Sequence, residues 1–103
     1  GLNSTSQAIT GDGSTSTAID VTSAVTEVDA TSAQAPCTLA DGANGQIKVI
    51  INVSTGGSNN VVITPSNLRG GTTITLNAPG ETVTCIFKNS NWNVIGGFGF
   101  AVA

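Results

Sequence analysis

Side chains able to do chemistry are few in this 103-residue chain, and they do not cluster. There is no histidine, which removes the side chain used most often as general base, metal ligand and proton shuttle near neutral pH. The six acidic residues, Asp12, Asp20, Glu27, Asp29, Asp41 and Glu81, are spread along the whole sequence. A glycosidase needs two carboxyl groups set across one bond, and solvated positions in turns and strands account for these six better. The stretch Asp41-Gly42-Ala43-Asn44-Gly45 is rich in oxygen but lacks the spaced carboxylates of a calcium loop. Turn geometry, which glycine permits at no steric cost, explains it more simply. Gly11-Asp12-Gly13 and the later glycine pairs do not follow a strand and open a helix, so they make no phosphate loop. The sequence is expected to encode no enzyme, with no metal and no cofactor.

Cys37 alternates with Leu39, and Cys85 with Val83 and Phe87, so both thiols should face a core. Two readings stay open: a pair of buried free thiols packed as small hydrophobes, or one structural disulfide, since nothing in the sequence fixes their separation. No cation adjoins either residue, so a reactive thiolate is not expected. Trp92 is the sole tryptophan. Exposed, it could stack on a sugar or anchor a partner, but it shares a face with Val94 across a turn from Phe87 and reads as core.

Charged residues make up 9% of the chain, against about 25% in ordinary globular domains. Threonine, serine, asparagine and glycine take their place, giving a neutral polar surface. Three bases, Lys48, Arg69 and Lys88, cannot track a phosphate backbone, so nucleic acid is not an expected partner. Apolar runs fall far short of the roughly 20 residues of a membrane helix, and no secretory signal pattern opens the sequence. The sequons Asn3-Ser4-Thr5 and Asn52-Val53-Ser54 would matter only in a secretory pathway.

These sparse groups must be positioned by strands. β-Branched residues dominate from Thr17 onward, and no window shows apolar residues at helical spacing. Length argues for one domain with three parts. Residues 1–17 hold only Leu2 and Ile9 as large apolar side chains, too few to offset roughly 1–2 kcal/mol of backbone entropy per residue. They are expected to form an extended arm that orders on a partner. Residues 18–95 should form the β domain, with strands near 18–22, 25–29 and 37–40, and with Pro36 at a strand start or an edge.

In Ile47–Val53, the residues Ile47, Val49, Ile51 and Val53 should line one face, opposite Lys48, Ile50 and Asn52. After Gly56-Gly57, residues 60–64 should return as the second arm of a hairpin. Strands at 72–77, 82–88 and 92–95 complete the set. The expected fold is all-β, a small antiparallel β-sandwich or barrel-like module. Residues 96–103, Gly-Gly-Phe-Gly-Phe-Ala-Val-Ala, lack any polar side chain. As one strand they would set Phe98, Phe100 and Val102 on a single face, an apolar contact strand for another chain or for the domain itself.

The run CTLADGANGQIKVI, with VVITPSNLRGGTTITLNAPGETVTCIFKNSNWNVIGG after it, resembles a β-rich module of tailed-bacteriophage virion structural proteins. The resemblance covers residues 35–97. It implies a head decoration or cement protein that binds and stabilises the outer surface of a phage head. Its partners would be itself, as a homotrimer, and the major capsid protein or another virion protein. It also implies location in the virion after assembly in the host cytoplasm. The alternative within the same resemblance is a trimeric tail-fibre or receptor-binding module, whose Ser54–Asn60 loop recognises host glycans. A third reading is an adhesin or pilus-like subunit that donates its arm or tail as a strand. The expected interface residues are Leu2, Ile9, Phe98, Phe100 and Val102.

Overall fold

Alternation of β-branched and polar residues, interrupted by glycine, proline and asparagine turns, produces strands and no helices in the described part of the chain. The computed structural model describes residues 5–56 and 59–103. Ten strands follow in order: β1 (Ser6–Gly11), β2 (Thr17–Ile19), β3 (Val25–Ala30), β4 (Gln34–Leu39), β5 (Ile47–Asn52), β6 (Asn60–Pro65), β7 (Ile74–Leu76), β8 (Thr82–Lys88), β9 (Asn91–Phe98) and β10 (Ala101–Val102). They form two five-stranded sheets, β1-β3-β5-β8-β9 and β10-β7-β6-β4-β2. The fold is an all-β sandwich.

The pairing is mixed rather than antiparallel throughout. β1, β3 and β5 run parallel in the first sheet, and β2, β4 and β6 run parallel in the second. The first six strands therefore alternate between sheets, winding as a two-sheeted coil whose successive turns stack side by side. From β7 onward the chain pairs antiparallel and closes the far end of both sheets. β5 and β6 consequently lie in different sheets, and the expected hairpin between them does not exist. The β8–β9 hairpin does exist. Its two-residue turn, Asn89-Ser90, has φ of 53° and 65°, the left-handed pair that a type I′ turn requires.

Residues 5–17 are not a free arm. β1 pairs with β3 along its whole length, from Ser6↔Val25 to Gly11↔Ala30, and Ile9 is buried in the core. Backbone pairing supplies what the side chains cannot, because β3 is itself held by β5. Leu2 lies outside the described residues. Pro36 sits inside β4, an internal strand, yet β2 pairs only from Cys37 onward. At Pro36 the strand thus has an open flank, which tolerates the missing N–H.

The core lies between the sheets, built from Ile19, Val28, Leu39, Ile50, Val61, Ile63, Ile74, Leu76, Val83 and Trp92 among others. Trp92 is fully buried, donates its Nε1–H to the Ala40 carbonyl at 2.9 Å, and meets Phe87 edge-on with ring centroids 5.2 Å apart. Cys37 and Cys85 are both buried and both free, and burial pushes each thiol up to about 11.

Candidate interaction surface

A two-sheeted coil crosses repeatedly from one sheet to the other, and each crossing leaves backbone groups near the core that need partners. β5 supplies them. Its inward row is Lys48, Ile50 and Asn52, all fully buried. Lys48 Nζ donates to the Ser23 carbonyl at 2.7 Å and lies 3.5 Å from the Asp20 carboxylate. Desolvation lowers the Lys48 pKa, and the Asp20 charge opposes that shift. Asp20 is itself held below the usual carboxylate range, first by the Ser23 backbone N–H. Asn52 donates to the carbonyls of Leu76 at 2.9 Å and Asn59 at 3.1 Å, and its Oδ1 accepts from Ser54 N at 2.9 Å.

With the polar row inward, strand alternation turns Ile47, Val49 and Ile51 outward. The face read as lined by Ile47, Val49 and Ile51 is thus the outer one, and the row of Lys48, Ile50 and Asn52, whose polar ends find the five partners above, is the inner one. Register extends the outward row across the sheet: Val25 stands beside Val49, and Ile47 beside Ile86. Between β8 and β9 the register shifts, so that Cys85 faces Val94 while Thr84 faces Gly96. Ile95 is the extra residue of this bulge and is 57% exposed, against 50% for Ile47. Val25, Ile47, Val49, Ile51, Ile86 and Ile95 together make an apolar outer face on the first sheet. Glu27 and Thr82 flank Ile51, Thr84 stands beside Val49, and Lys88 follows Ile86 on the same side of β8.

The residues expected to share the C-terminal face are divided. β9 ends at Phe98 in the first sheet, and β10 begins at Ala101 in the second, paired with β7. The crossing is made at Gly97 and Gly99, with φ of 144° and 74°. A Cβ on Gly97 would lie 2.3 Å from the Thr82 carbonyl oxygen. Phe98 is exposed at 70% and Val102 at 39%, while Phe100 is half-buried against the core. The segment is a strap that closes the sandwich rather than one contact strand. Ile9, the remaining described member of the expected set, is core.

The second sheet's outer side is chemically different. Thr38, Thr64, Ser66 and Thr72 line a groove of about 580 Å³ with Leu39, Ala40 and Pro65. Beside it, Asp41 accepts from Asn67 Nδ2 at 3.0 Å and from Ser66 Oγ at 2.7 Å, contacts that in that order lower its pKa. The loop suspected of glycan recognition is partly committed elsewhere. Ser54 Oγ accepts from Ala30 N at 2.8 Å, and Asn59 Nδ2 donates to Ala30 O at 2.7 Å. Residues 57 and 58 lie outside the described residues. Among the described residues no three His, Cys, Asp or Glu side chains come together as a metal site.

The fold and its outer face define a β-sandwich with one apolar sheet surface. No protein-family model matches the chain, and no curated protein matches it.

Proposed function

We propose that this protein is a structural subunit, held in a larger assembly through the apolar outer face of its first sheet. The observation that carries this reading is the exposure of Ile47 at 50% and Ile95 at 57% on an outer face that also carries Val25, Val49, Ile51 and Ile86. Clustered exposed aliphatic side chains mark interaction sites when they lie on a folded domain. The sequence resemblance supplies the setting: decoration of the head of a tailed bacteriophage, with sister copies or the capsid protein covering the face. A homotrimer is the arrangement that resemblance implies. The buried thiols and the scattered carboxylates support a role without catalysis.

The test is the mass of the purified chain in solution, by light scattering, alone and with phage heads. Ile47→Ser with Ile95→Ser should lower the assembly's mass or abolish head binding while leaving the fold intact. Unchanged association of that variant would overturn the reading.

A further inference from the structure

A sheet edge exposes a row of backbone donors and acceptors, and proteins guard such edges with short strands, bulges, charges or covering loops. Three of the four edges of this sandwich are guarded. β10 has two residues and β2 has three. β2 is also occupied from the side: Gln7 Nε2 donates to the Ala18 carbonyl at 3.3 Å, and Gln7 Oε1 accepts from Asp20 N at 3.0 Å. β9 carries the bulge at Ile95 and is covered at Trp92, whose N–H donates to Asn67 O at 2.9 Å and whose carbonyl accepts from Arg69 N at 3.0 Å.

β1 has none of these devices. It is six residues long, without charge, proline or bulge. The carbonyls of Thr5 and Gly11 both accept from the backbone of the β3 side, through Val25 N and Thr31 N. Backbone groups alternate sides along a strand, so those of Gln7 and Ile9 also face β3. Those of Ser6, Ala8 and Thr10 face away and have no backbone partner among the described residues. The side chains of these three residues are small and exposed.

We infer that the open edge of β1 pairs with β1 of a second copy, antiparallel about a two-fold axis at Ala8. That register sets Ala8 against Ala8 and Ser6 against Thr10, three hydrogen-bonded pairs with about six backbone bonds. The row is self-complementary, as an isologous contact requires. A further turn of coil is a poorer occupant, because it would need the edge of β2 as well, and Gln7 holds that edge. This contact is separate from the apolar outer face and does not rest on it.

Ala8→Pro tests it in the full-length chain. The Ala8 N–H serves no bond to β3, so an edge proline leaves the sandwich intact, and it removes the central donor of the pairing. The variant should turn a dimer into a monomer or, where the outer face also holds a trimer, a hexamer into a trimer. Ser6→Lys with Thr10→Lys gives a second route, since it sets like charges directly opposite across the axis. In the unaltered protein, amide exchange at Ser6, Ala8 and Thr10 should slow with rising protein concentration, while exchange at Gln7 and Ile9 stays constant. A monomer at every concentration, or a mass unaffected by both variants, would overturn the inference. So would protection of those amides that does not depend on concentration, the sign of another segment of the same chain on this edge.

Discussion

β5 and β8 are neighbours in one sheet and pair along most of their length, yet they are built in opposite senses. β8 turns Val83, Cys85 and Phe87 inward and Thr82, Thr84 and Ile86 outward. β5 turns Lys48 and Asn52 inward around Ile50 and leaves Ile47, Val49 and Ile51 outside. The first arrangement buries apolar area, worth about 25 cal/mol per Å². The second uses buried polar atoms to satisfy chain crossings. The comparison shows that a strand's interior face is decided by what surrounds it, and that a polar interior can release apolar side chains for use outside.

The largest effect expected from breaking this arrangement is at Asn52. Asn52→Leu keeps the volume but orphans the carbonyls of Leu76 and Asn59 and the N–H of Ser54. Each buried group left unpaired costs about 1–3 kcal/mol, so denaturant unfolding should show a loss of roughly 3–9 kcal/mol. A loss within 1 kcal/mol, about the worth of one ordinary hydrogen bond, would mean that the polar row does not hold the crossings.

Lys48 offers a smaller contrast. Asp20→Ala leaves the buried ammonium with only the Ser23 carbonyl. Because Asp20 keeps 37% exposure, the expected loss is measurable but below that of breaking a fully buried pair. Lys48→Met removes the charge along with its need for a partner but leaves the buried Ser23 carbonyl unpaired, which costs about 1–3 kcal/mol. A loss in Lys48→Met with none in Asp20→Ala would show that the lysine matters for its hydrogen bond and not for its charge.

Much of the fold is legible in the sequence, and the limits have physical causes. Period-two alternation and turn dipeptides locate most strands, and Trp92 reads as core from its neighbours. Which face of Ile47–Asn52 points inward is not legible, since apolar residues occur on both. The signal that could have found it is the polar pair itself, two residues apart around Ile50. A hairpin and a crossing between sheets look alike locally, as two apolar runs joined by a glycine-rich turn, so the coil from β1 to β6 stays hidden. β1 is hidden because its order comes from β3. In the tail, Gly97 and Gly99 alternating with phenylalanine could have signalled a crossing rather than a strand. Ile95 becomes visible only through the bulge that turns it outward.

Buried groups also titrate in opposite directions, Cys85 of β8 and Cys37 of β4 against Lys48 of β5, which sharpens the comparison with less perturbation. Cys37 and Cys85 ionise at about 11 when folded against an ordinary 9.0. The unfolded chain releases those protons first, so stability is intact below pH 9 and is lost as pH rises through about 11. Lys48 is shifted downward, so the folded chain releases the ammonium proton before the unfolded chain does, and stability gains as pH rises toward 10.5. Thermal midpoints of the native protein should therefore fall through the alkaline range, the two thiols outweighing one lysine. Cys37→Ala with Cys85→Ala should remove the fall and uncover the gain. A fall that persists in that variant would put its origin outside the thiols.

The smallest effect on the fold should come from the outward row. Ile47 and Ile95 already meet solvent over half their surface, and exposed substitutions away from special features usually stay within about 0.5 kcal/mol. Ile47→Ser with Ile95→Ser should accordingly leave the denaturant midpoint nearly unmoved in dilute protein. If the outer face is covered in the assembly, the same variant at high concentration should lose the stabilisation that association gives the unaltered chain, because a partner that binds only the folded state raises its apparent stability. The two measurements separate the roles. A large loss in dilute monomer would make the outward row part of the fold's own support, and the inversion of β5 would then have no bearing on assembly.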